Sequence, residues 1–455
     1  MAREKFGSRL GFILISAGCA IGIGNVWRFP YVTGNSGGGI FVLFYIIFLV
    51  IMGLPILTME YSVGRASGLS IAKGYKKLEK PGQKWHLHAI VGVAGNYLLM
   101  MYYTVVSGWM LDYFYKMLSG KFAGADVEAV KSIYSSMLAD PGELTLWMLL
   151  VVAIGFGVCV LGLQKGVEKI TKVMMTALIG IIILLAVKSL TLPGGMEGLK
   201  FYLVPNPDTV REVGLGNVIV AAMNQSFFTL SIGIGAMQIF GSYMNRKRTL
   251  LGETIIVESL DTFVALFSGL IIFPACFAFG VEADSGPSLI FITLPNVFNS
   301  MAGGRIWGSL FFLFMTFAAM STIIAVFENI ISFAMDSFGW SRKKATAANI
   351  ILIAALSMPC VLGFNIWSSF EPLKAGNTIM DLEDFLVSNI LLPLGSVIYI
   401  LFCTSRYGWG WDKFIKEANY GDGPKFPKKL RFYCAYILPL FAAAILVYGL
   451  ISYFR

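Results

Sequence analysis

The chain has 455 residues, of which 57% are hydrophobic and only 13% are charged. Because about a quarter of the residues in a soluble domain are charged, this composition excludes a conventional water-soluble enzyme. The formal net charge is +9, but the basic residues lie in short loops between apolar runs, which indicates membrane topology and not nucleic-acid binding. Eleven bilayer-crossing segments of ~20 apolar residues, with their loops, would leave no length for a sizeable soluble domain.

Residue types that build catalytic or metal centres are scarce. His86 and His88 are the two histidines, so a histidine metal centre or a catalytic triad is not expected. The six cysteines are scattered, mostly through apolar runs, without CxxC spacing or a disulfide framework. The first apolar run is too long for a cleavable signal peptide, and further runs follow it. The sequence therefore predicts a polytopic inner-membrane protein that is not an enzyme.

Eleven apolar runs, which we call spans 1 to 11, follow one another along the chain. Because unpaired backbone groups are not tolerated in lipid, eleven helices are the natural prediction, and the fold class is an all-α polytopic membrane protein. The alternating ~10-residue segments of a β-barrel are absent from the sequence. The runs cover residues 9–33, 39–64, 87–117, 143–162, 168–190, 216–243, 254–280, 304–337, 346–365, 379–405 and 429–453.

Lysine and arginine are far more frequent in the loops after even-numbered spans, and before span 1, than in the other loops. The positive-inside rule therefore places the N-terminus in the cytoplasm, and an odd number of spans places the C-terminus outside. Two outer loops are long: 191–215 is rich in proline and glycine, and 281–303 contains an apolar stretch, Leu289 to Phe298. This stretch is too short to span, so we expect an interfacial or re-entrant hairpin that can cover a cavity.

Spans 1 and 6 contain residues that interrupt a helix. Span 1 reads GCAIGIGNVWRFP over 18–30, and span 6 reads FFTLSIGIG over 227–235. If spans 1–5 and 6–10 are two repeats, these interruptions correspond, which indicates a transporter binding site. Broken helices expose carbonyl groups to a cation and N–H groups to a carboxylate. The alternative is ordinary glycine-mediated helix packing.

Ionisable residues inside the spans are costly unless they are paired or hydrated. These residues are Arg28, Glu60, Glu258, Asp261 and Glu328. Asp261, with Asn25 and Thr229, offers the oxygen ligands that suit a hard cation. The alternative for each ionisable residue is a buried ion pair that only fixes the register of two helices.

Two further pairs of polar residues lie at suitable depths. Asp384, early in span 10, is the candidate partner for Arg28, which lies one turn outward from the glycine break. Ser321 and Thr322 place two hydroxyl groups at mid-membrane depth in span 8. The alternative for these hydroxyls is a hydrogen bond to the preceding helical turn.

Four segments of the chain resemble the neurotransmitter:sodium symporter family. They are GNVWRFP (24–30), NSGGGIF (35–41), GLPILTMEYSVGR (53–65) and FFTLSIGIGA (227–236). The likeness extends through ten spans, over about residues 1–406, and is of the type of the eleven-span bacterial transporters for leucine, tyrosine and several hydrophobic amino acids. It implies the leucine-transporter (LeuT) fold in one transmembrane domain, 1–455, with discontinuous helices 1 and 6. Within that domain it implies inverted repeats at 9–190 and 216–406 and an eleventh span at 429–453.

The resemblance also implies two sodium sites. The first would use the Ala20 carbonyl, Asn25, Thr229 and Asp261, completed by the carboxylate of the substrate. The second would use the carbonyls of Gly18, Ile21 and Ala318 and the hydroxyls of Ser321 and Thr322.

A substrate pocket and two gates follow from the same resemblance. The pocket would include Ala20, Gly22, Gly24, Leu99, Tyr103, Phe228, Thr229, Ser231, Ile234, Thr322 and Val326. Tyr103 would bind the substrate carboxylate and would form a lid with Phe228. Arg28 and Asp384 would form the outer gate, and the inner gate would consist of Arg3, Phe6, Tyr243 and Asp336.

Three departures from the family pattern are informative. Monoamine transporters have an aspartate at the position of Gly22, so the glycine favours a zwitterionic amino acid as substrate. Chloride-dependent members have asparagine and serine where this chain has Asp261 and Ala265, so an ionised Asp261 would make chloride unnecessary. Many members have a proline ten residues after the glycine that corresponds to Gly166, but this chain has Thr176, which argues against easy unwinding of span 5.

Together these features predict a sodium-coupled symporter for neutral hydrophobic or aromatic L-amino acids that works by alternating access. We expect two Na⁺ ions and no chloride; the partners would be a small-molecule amino acid and the lipid bilayer, with no nucleic acid. We expect a monomer or weak homodimer in a bacterial inner membrane. One alternative is a sodium-independent or proton-coupled exchanger on the same fold, with Asp261 as the titrating group. Another is a non-transporting amino-acid sensor, which the absence of a soluble signalling domain argues against.

Overall fold

The computed structural model describes residues 4–280 and 287–454, and these residues form helices joined by short loops. Nine of the described helices are long and apolar enough to cross a membrane, and the two bent helices of span 1 together make a tenth. Span 6 is divided into two shorter helices. The spans have these bounds: Arg9–Ala20 with Gly24–Asn35, Gly39–Ser67, Trp85–Ser119, Pro141–Val160, Leu163–Leu190, Leu215–Thr229 with Ala236–Tyr243, Leu250–Ala278, Gly304–Phe338, Arg342–Leu362, Ile379–Thr404 and Lys428–Ile451.

Both expected interruptions are present. The halves of span 1 meet at an angle of 56°, and the helix is lost at Ile21 and Gly22. Pro30 does not cause this break, because it lies eight residues after Gly22, within the continuous helical segment Gly24–Asn35. In span 6 the non-helical segment is 230–235. It includes Gly233 at φ 105°, a backbone conformation that residues with a Cβ rarely adopt.

Five wide, π-helical turns share one local cause. Each ends two residues before a proline: the turns are Gly24–Arg28, Leu49–Gly53, Leu289–Thr293, Leu386–Leu391 and Tyr433–Ile437. In span 1, for example, the N–H of Phe29 donates to the carbonyl of Gly24, five residues earlier. A proline has no N–H and its ring collides with the carbonyl four residues before it, so the preceding turn widens. Span 5 begins with a π-helical turn, Leu163–Glu168, that no proline follows, and it is α-helical from Lys169 through Thr176.

Span 8 lies at the centre of the bundle, where it packs mainly against spans 1, 3 and 5. Its most apolar window is 83% buried, whereas that of span 11 is 28% buried and faces outward. Because span 8 and the first half of span 1 are in contact, polar groups on these two segments meet inside protein and not in lipid. The proposed relation of spans 1–5 and 6–10 as inverted repeats stays a prediction.

We name the two ends of the bundle outer and inner according to the predicted orientation. At the outer end the loop 191–215 forms the short helices Gly195–Leu203 and Pro207–Val213. The apolar stretch of the loop 281–303 forms a helix, Leu289–Ser300. Residues 281–286 of this loop lie outside the described residues. Phe291 of this helix makes edge-to-face contacts with Trp27, Trp109 and Tyr113, at centroid distances of 6.0, 5.7 and 5.0 Å. These aromatic contacts hold the helix over the outer end of spans 1 and 3.

Candidate ion and substrate site

Three oxygen-bearing side chains from spans 1, 6 and 7 meet beside the two helix breaks. Asn25 Nδ2 donates to Asp261 Oδ1 at 2.8 Å and to Thr229 Oγ1 at 3.1 Å. The Thr229 hydroxyl donates to Asp261 Oδ2 at 2.9 Å, and Asn25 Oδ1 accepts the Gly22 N–H at 3.1 Å. Since all three side chains are buried, the structure places these three residues of the first predicted ion site in one buried cluster. Ala20, the fourth, lines the small cavity that also contacts Thr229.

A second cluster joins span 8 to the first half of span 1. The Thr322 hydroxyl lies 3.2 Å from the Gly18 carbonyl and 3.1 Å from the Ile21 carbonyl. The Ser321 hydroxyl lies 3.3 Å from the Ile21 carbonyl and 2.9 Å from that of Ala318. The five groups of the second predicted site are therefore contiguous. The hydroxyls do bond to a carbonyl of their own helix, at Ala318, but they also reach across to span 1.

The donor set of both clusters consists of carbonyl, hydroxyl, amide and carboxylate oxygens, which suit a hard cation. Sequence reasoning missed one further oxygen, the Cys19 carbonyl, which lies 3.5 Å from Thr322 Oγ1. In this structure the carbonyls near the span 1 break accept hydrogen bonds from the Ser321 and Thr322 hydroxyls. Rotation of these hydroxyls would free the carbonyl oxygens for an ion. The residues present thus fit Na⁺ at both places.

Glu60 holds the second half of span 6 in position. Its carboxylate accepts the N–H groups of Gly233 at 2.9 Å, Met237 at 3.0 Å and Gln238 at 3.2 Å. Met237 and Gln238 belong to the first turn of the helix Ala236–Tyr243, whose N–H groups have no partner within the helix. A carboxylate at this position also complements the positive end of the helix dipole. The sequence marks Glu60 as ionisable but gives no sign of this role.

A small cavity lies between the breaks. It is lined by Ala20, Gly22, Gly24, Leu99, Tyr103, Phe228, Thr229, Ser231, Thr322 and Leu392. Two residues predicted for the pocket do not line it: Ile234 and Val326 are fully buried elsewhere, and the Ile234 carbonyl accepts a hydrogen bond from Asn96 Nδ2 at 2.9 Å. Residues 230–235 are not helical, and Ile234 lies against span 3. A prediction that assumes helical spacing along span 6 could not reveal this position. Leu392 of span 10 is an addition.

An outer vestibule of about 340 Å³ lies above this cavity and shares Gly24, Tyr103 and Phe228 with it. Arg28 and Asp384 both line the vestibule, but among the described residues no ion pair joins them, so the expected direct contact is absent in this conformation. The guanidinium of Arg28 instead lies 4.1 Å from the centroid of the Phe228 ring. Asp384 accepts hydrogen bonds from the Tyr102 hydroxyl at 3.0 Å and the Ser388 hydroxyl at 2.8 Å.

The inner end is closed by aromatic and ionic contacts. The rings of Phe6 and Tyr243 meet edge to face at 5.7 Å, and the Tyr243 hydroxyl donates to Glu328 Oε1 at 2.7 Å. Arg342 binds both oxygens of Glu328, at 2.7 and 3.0 Å. Sequence reasoning missed Arg342, because it lies in the basic loop after span 8 and looks like a topology signal.

The other two residues of the predicted inner gate have different outcomes. Asp336 accepts hydrogen bonds from the backbone N–H and the hydroxyl of Ser70, at 2.9 and 2.6 Å. Arg3 lies outside the described residues. The structure therefore places Phe6 and Tyr243 in contact and anchors Asp336 to the loop after span 2.

The chain matches the sodium:neurotransmitter symporter family over residues 3–130 and 127–455. It is 34% identical over 398 residues to the uncharacterized sodium-dependent transporter YhdH of Bacillus subtilis, covering 88% of this chain and 87% of that protein. An uncharacterized sodium-dependent transporter of Haemophilus influenzae is 30% identical over 463 residues, 98% of each chain. The sodium-dependent serotonin transporter of Drosophila melanogaster is 25% identical over 499 residues, 99% of this chain and 77% of that protein.

The structure is similar to the crystal structure of MhsT in complex with L-phenylalanine. The TM-score is 0.88, with 34% sequence identity over 98% of this chain and 100% of the MhsT chain. This likeness confirms the expected all-α leucine-transporter fold. The long apolar helices are those of a multi-pass membrane protein.

Proposed function

The chain belongs to the sodium:neurotransmitter symporter family, and on this premise we propose that it takes up neutral hydrophobic or aromatic L-amino acids together with Na⁺. The observation that carries the proposal is the buried cluster of Asn25, Thr229 and Asp261 beside the small cavity. Thr229 belongs to both the cluster and the cavity wall. An ion and a substrate would therefore touch the same residue.

In this proposal the two oxygen clusters bind two sodium ions, which are cargo and not resident cofactors. Asn25, Thr229, Asp261 and the Ala20 carbonyl bind the first ion, and the substrate carboxylate completes its shell. The second ion takes the oxygens of Gly18, Ile21, Ala318, Ser321 and Thr322. Because substrate and first ion share a ligand shell, each raises the affinity for the other by the same factor.

One end of the cavity offers hydrogen-bond donors to the carboxylate of a zwitterionic substrate. The N–H of Ile23, at the span 1 break, donates to the Tyr103 hydroxyl at 2.9 Å, and a substrate carboxylate could accept a hydrogen bond from each of them in place of this contact. No side chain at Gly22 supplies a negative charge that would replace the substrate's own carboxylate. The similar structure of MhsT contains L-phenylalanine, which supports an amino acid with an apolar side chain.

Access alternates in this proposal between the outer vestibule and the inner end. Tyr103 and Phe228 lie between the cavity and the vestibule, where they form the lid. Closure of the outer side brings Arg28 toward Asp384, and opening of the inner side separates Phe6 from Tyr243. An ionised Asp261 makes chloride unnecessary. We place the protein in a bacterial inner membrane with a cytoplasmic N-terminus and an outer C-terminus, as a monomer or weak homodimer.

Uptake into proteoliposomes should require an inward sodium gradient. With radiolabelled L-leucine or L-phenylalanine, we expect accumulation when Na⁺ is outside and K⁺ inside, and background uptake when K⁺ replaces Na⁺ on both sides. Addition of a sodium ionophore should release the accumulated amino acid. Equal uptake in K⁺ would contradict sodium coupling, and uptake driven by a pH gradient in K⁺ would favour the proton-coupled exchanger.

Gly22→Ala should abolish substrate binding while the protein still folds. A Cβ at this position would lie 2.2 Å from the Tyr103 hydroxyl oxygen and 2.7 Å from Thr322 Oγ1, so Tyr103 must leave the place where it would bind the carboxylate. We expect sodium-dependent amino-acid binding, measured by scintillation proximity, to fall at least about tenfold. Gly180→Ala is a suitable control, since nothing lies within 4 Å of a Cβ there and the backbone is helical. Normal binding by Gly22→Ala would refute this placement of the substrate.

A further inference from the structure

Span 10 contributes one residue to the small cavity, although the sequence analysis singles out only Asp384 in this span, as a residue of the outer gate. Leu392 lines the cavity and is 3% exposed. It directly follows the π-helical turn Leu386–Leu391, and its own N–H donates to the Val387 carbonyl, five residues earlier. The wide turn is a consequence of Pro393. Wide turns of this kind often occur at functional sites.

The backbone of Leu392 is held against the break in span 6. A Cβ on Gly233 would lie 2.3 Å from the Leu392 carbonyl oxygen, so the two backbones are in the closest contact that a glycine allows. The Ser396 hydroxyl donates to the same carbonyl at 2.9 Å. Because the helix backbone at Leu392 is packed directly against span 6 at Gly233, a ligand in the cavity meets Leu392 and cannot displace the helix that carries it.

The remaining walls leave few ways to accommodate a larger ligand. The span 1 wall is mostly backbone, and the hydroxyls of Tyr103, Thr229 and Thr322 form a polar side. The large apolar side chains are Leu99, Phe228 and Leu392, and Phe228 is held under Arg28. The cavity volume is about 20 Å³, which is room for about one water molecule. A close-packed wall of this kind makes the ligand's side chain compete directly with the side chains that line it.

We propose that Leu392 is a specificity-determining residue that sets the upper size limit of the substrate side chain. This inference rests on the proposed function, because it takes the small cavity as the amino-acid site. Leu392 would contact the end of the substrate's apolar side chain, whereas Tyr103 and the span 1 break would hold the carboxylate. A shorter residue at 392 would therefore favour bulky aromatic amino acids, and a larger one would favour small amino acids.

The test compares sodium-dependent binding of L-alanine, L-leucine, L-phenylalanine and L-tryptophan to the purified full-length protein. In Leu392→Ala we expect the affinity for L-tryptophan relative to L-leucine to rise by about tenfold or more, the effect of a few methylene groups in an apolar pocket. In Leu392→Phe we expect the affinities for L-phenylalanine and L-tryptophan to fall by about tenfold relative to L-alanine. The two opposite shifts keep the inference testable if one variant fails to fold.

Leu391→Ala is the matched control, since it removes the same atoms from the adjacent position of span 10. Leu391 is only partly buried and does not line the cavity, so its truncation should leave the order of affinities unchanged. An unchanged order in both Leu392 variants, or an equal shift in Leu391→Ala, would overturn the role of Leu392 while leaving sodium-coupled transport intact. If the native protein binds no amino acid in Na⁺, the proposed function fails and the inference fails with it.

Discussion

Asp261→Asn is expected to abolish sodium-dependent amino-acid binding in chloride-free buffer, or to make it depend on added chloride. The carboxylate is the one acidic side chain in the Asn25–Thr229–Asp261 cluster of the described structure. At ~4 Å and an effective dielectric constant near 20, its attraction for Na⁺ is on the order of 4 kcal/mol. We therefore expect the apparent sodium affinity to fall by about 1,000-fold, measured by titrating sodium gluconate against potassium gluconate and repeating the titration with the chloride salts.

Glu258→Gln is a matched control for this experiment. Glu258 is a buried acid on the same helix, one turn before Asp261, and its Oε2 has no hydrogen-bond partner among the described residues. Neutralising it changes the charge near the cluster by the same amount without removing an oxygen from it. If Asp261→Asn retained the native sodium affinity and chloride had no effect on it, Asp261 would not have the role we propose. An equal loss in Glu258→Gln would assign the effect to overall charge.

Glu60→Gln is expected to destabilise the protein by about 3 kcal/mol, because the carboxylate accepts three buried N–H groups from span 6. A glutamine offers one acceptor oxygen and turns an NH₂ group toward the remaining donors. Each buried N–H that loses its partner costs about 1–3 kcal/mol. We expect the apparent melting temperature in detergent to fall by about 5 °C.

The functional consequence separates this role from a general loss of packing. Because Glu60 fixes Gly233 and the start of the helix Ala236–Tyr243, its loss should weaken amino-acid binding even at temperatures where the variant is folded. Met59→Leu, a conservative change at the neighbouring buried position, should affect neither property strongly. A native melting temperature and native affinity in Glu60→Gln would show that the span 6 break does not depend on this carboxylate.

The break in span 1 illustrates how far local sequence reasoning reaches. Three glycines and a proline within 18–30 predict an interruption, and the structure has one. The exact place differs from a proline-centred break, because Pro30 lies within the helical segment Gly24–Asn35 and only widens the turn before it. Local backbone preferences were sufficient to predict the interruption; its position, at Ile21 and Gly22, and the contact of the Ile21 carbonyl with Ser321 and Thr322 of span 8 came from the structure.

The outer gate shows a limit of pairing residues by depth. Arg28 and Asp384 both reach the vestibule, as their positions in the spans predict. Whether they touch depends on the conformation, and here Arg28 lies over Phe228 while Asp384 binds Tyr102. Depth along the membrane is encoded in the sequence, but the distance across a cavity is set by how the helices are arranged.

The sequence by itself determined the membrane class and the interruption of spans 1 and 6, because apolar length, charge asymmetry and helix-breaking residues are local properties. It also singled out Asn25, Asp261, Ser321 and Thr322, because these residues are polar where lipid-facing helices are not. The leucine-transporter fold and the full composition of the two oxygen clusters were expected only from the resemblance of four segments to the symporter family. Only the tertiary structure decided that Glu60 caps span 6, that Arg342 binds Glu328, and that Leu392 replaces Ile234 and Val326 on the cavity wall. These facts depend on which side chains face each other across the bundle. In a broken helix the regular spacing of residues is lost, so the direction in which each side chain points cannot be predicted from the sequence.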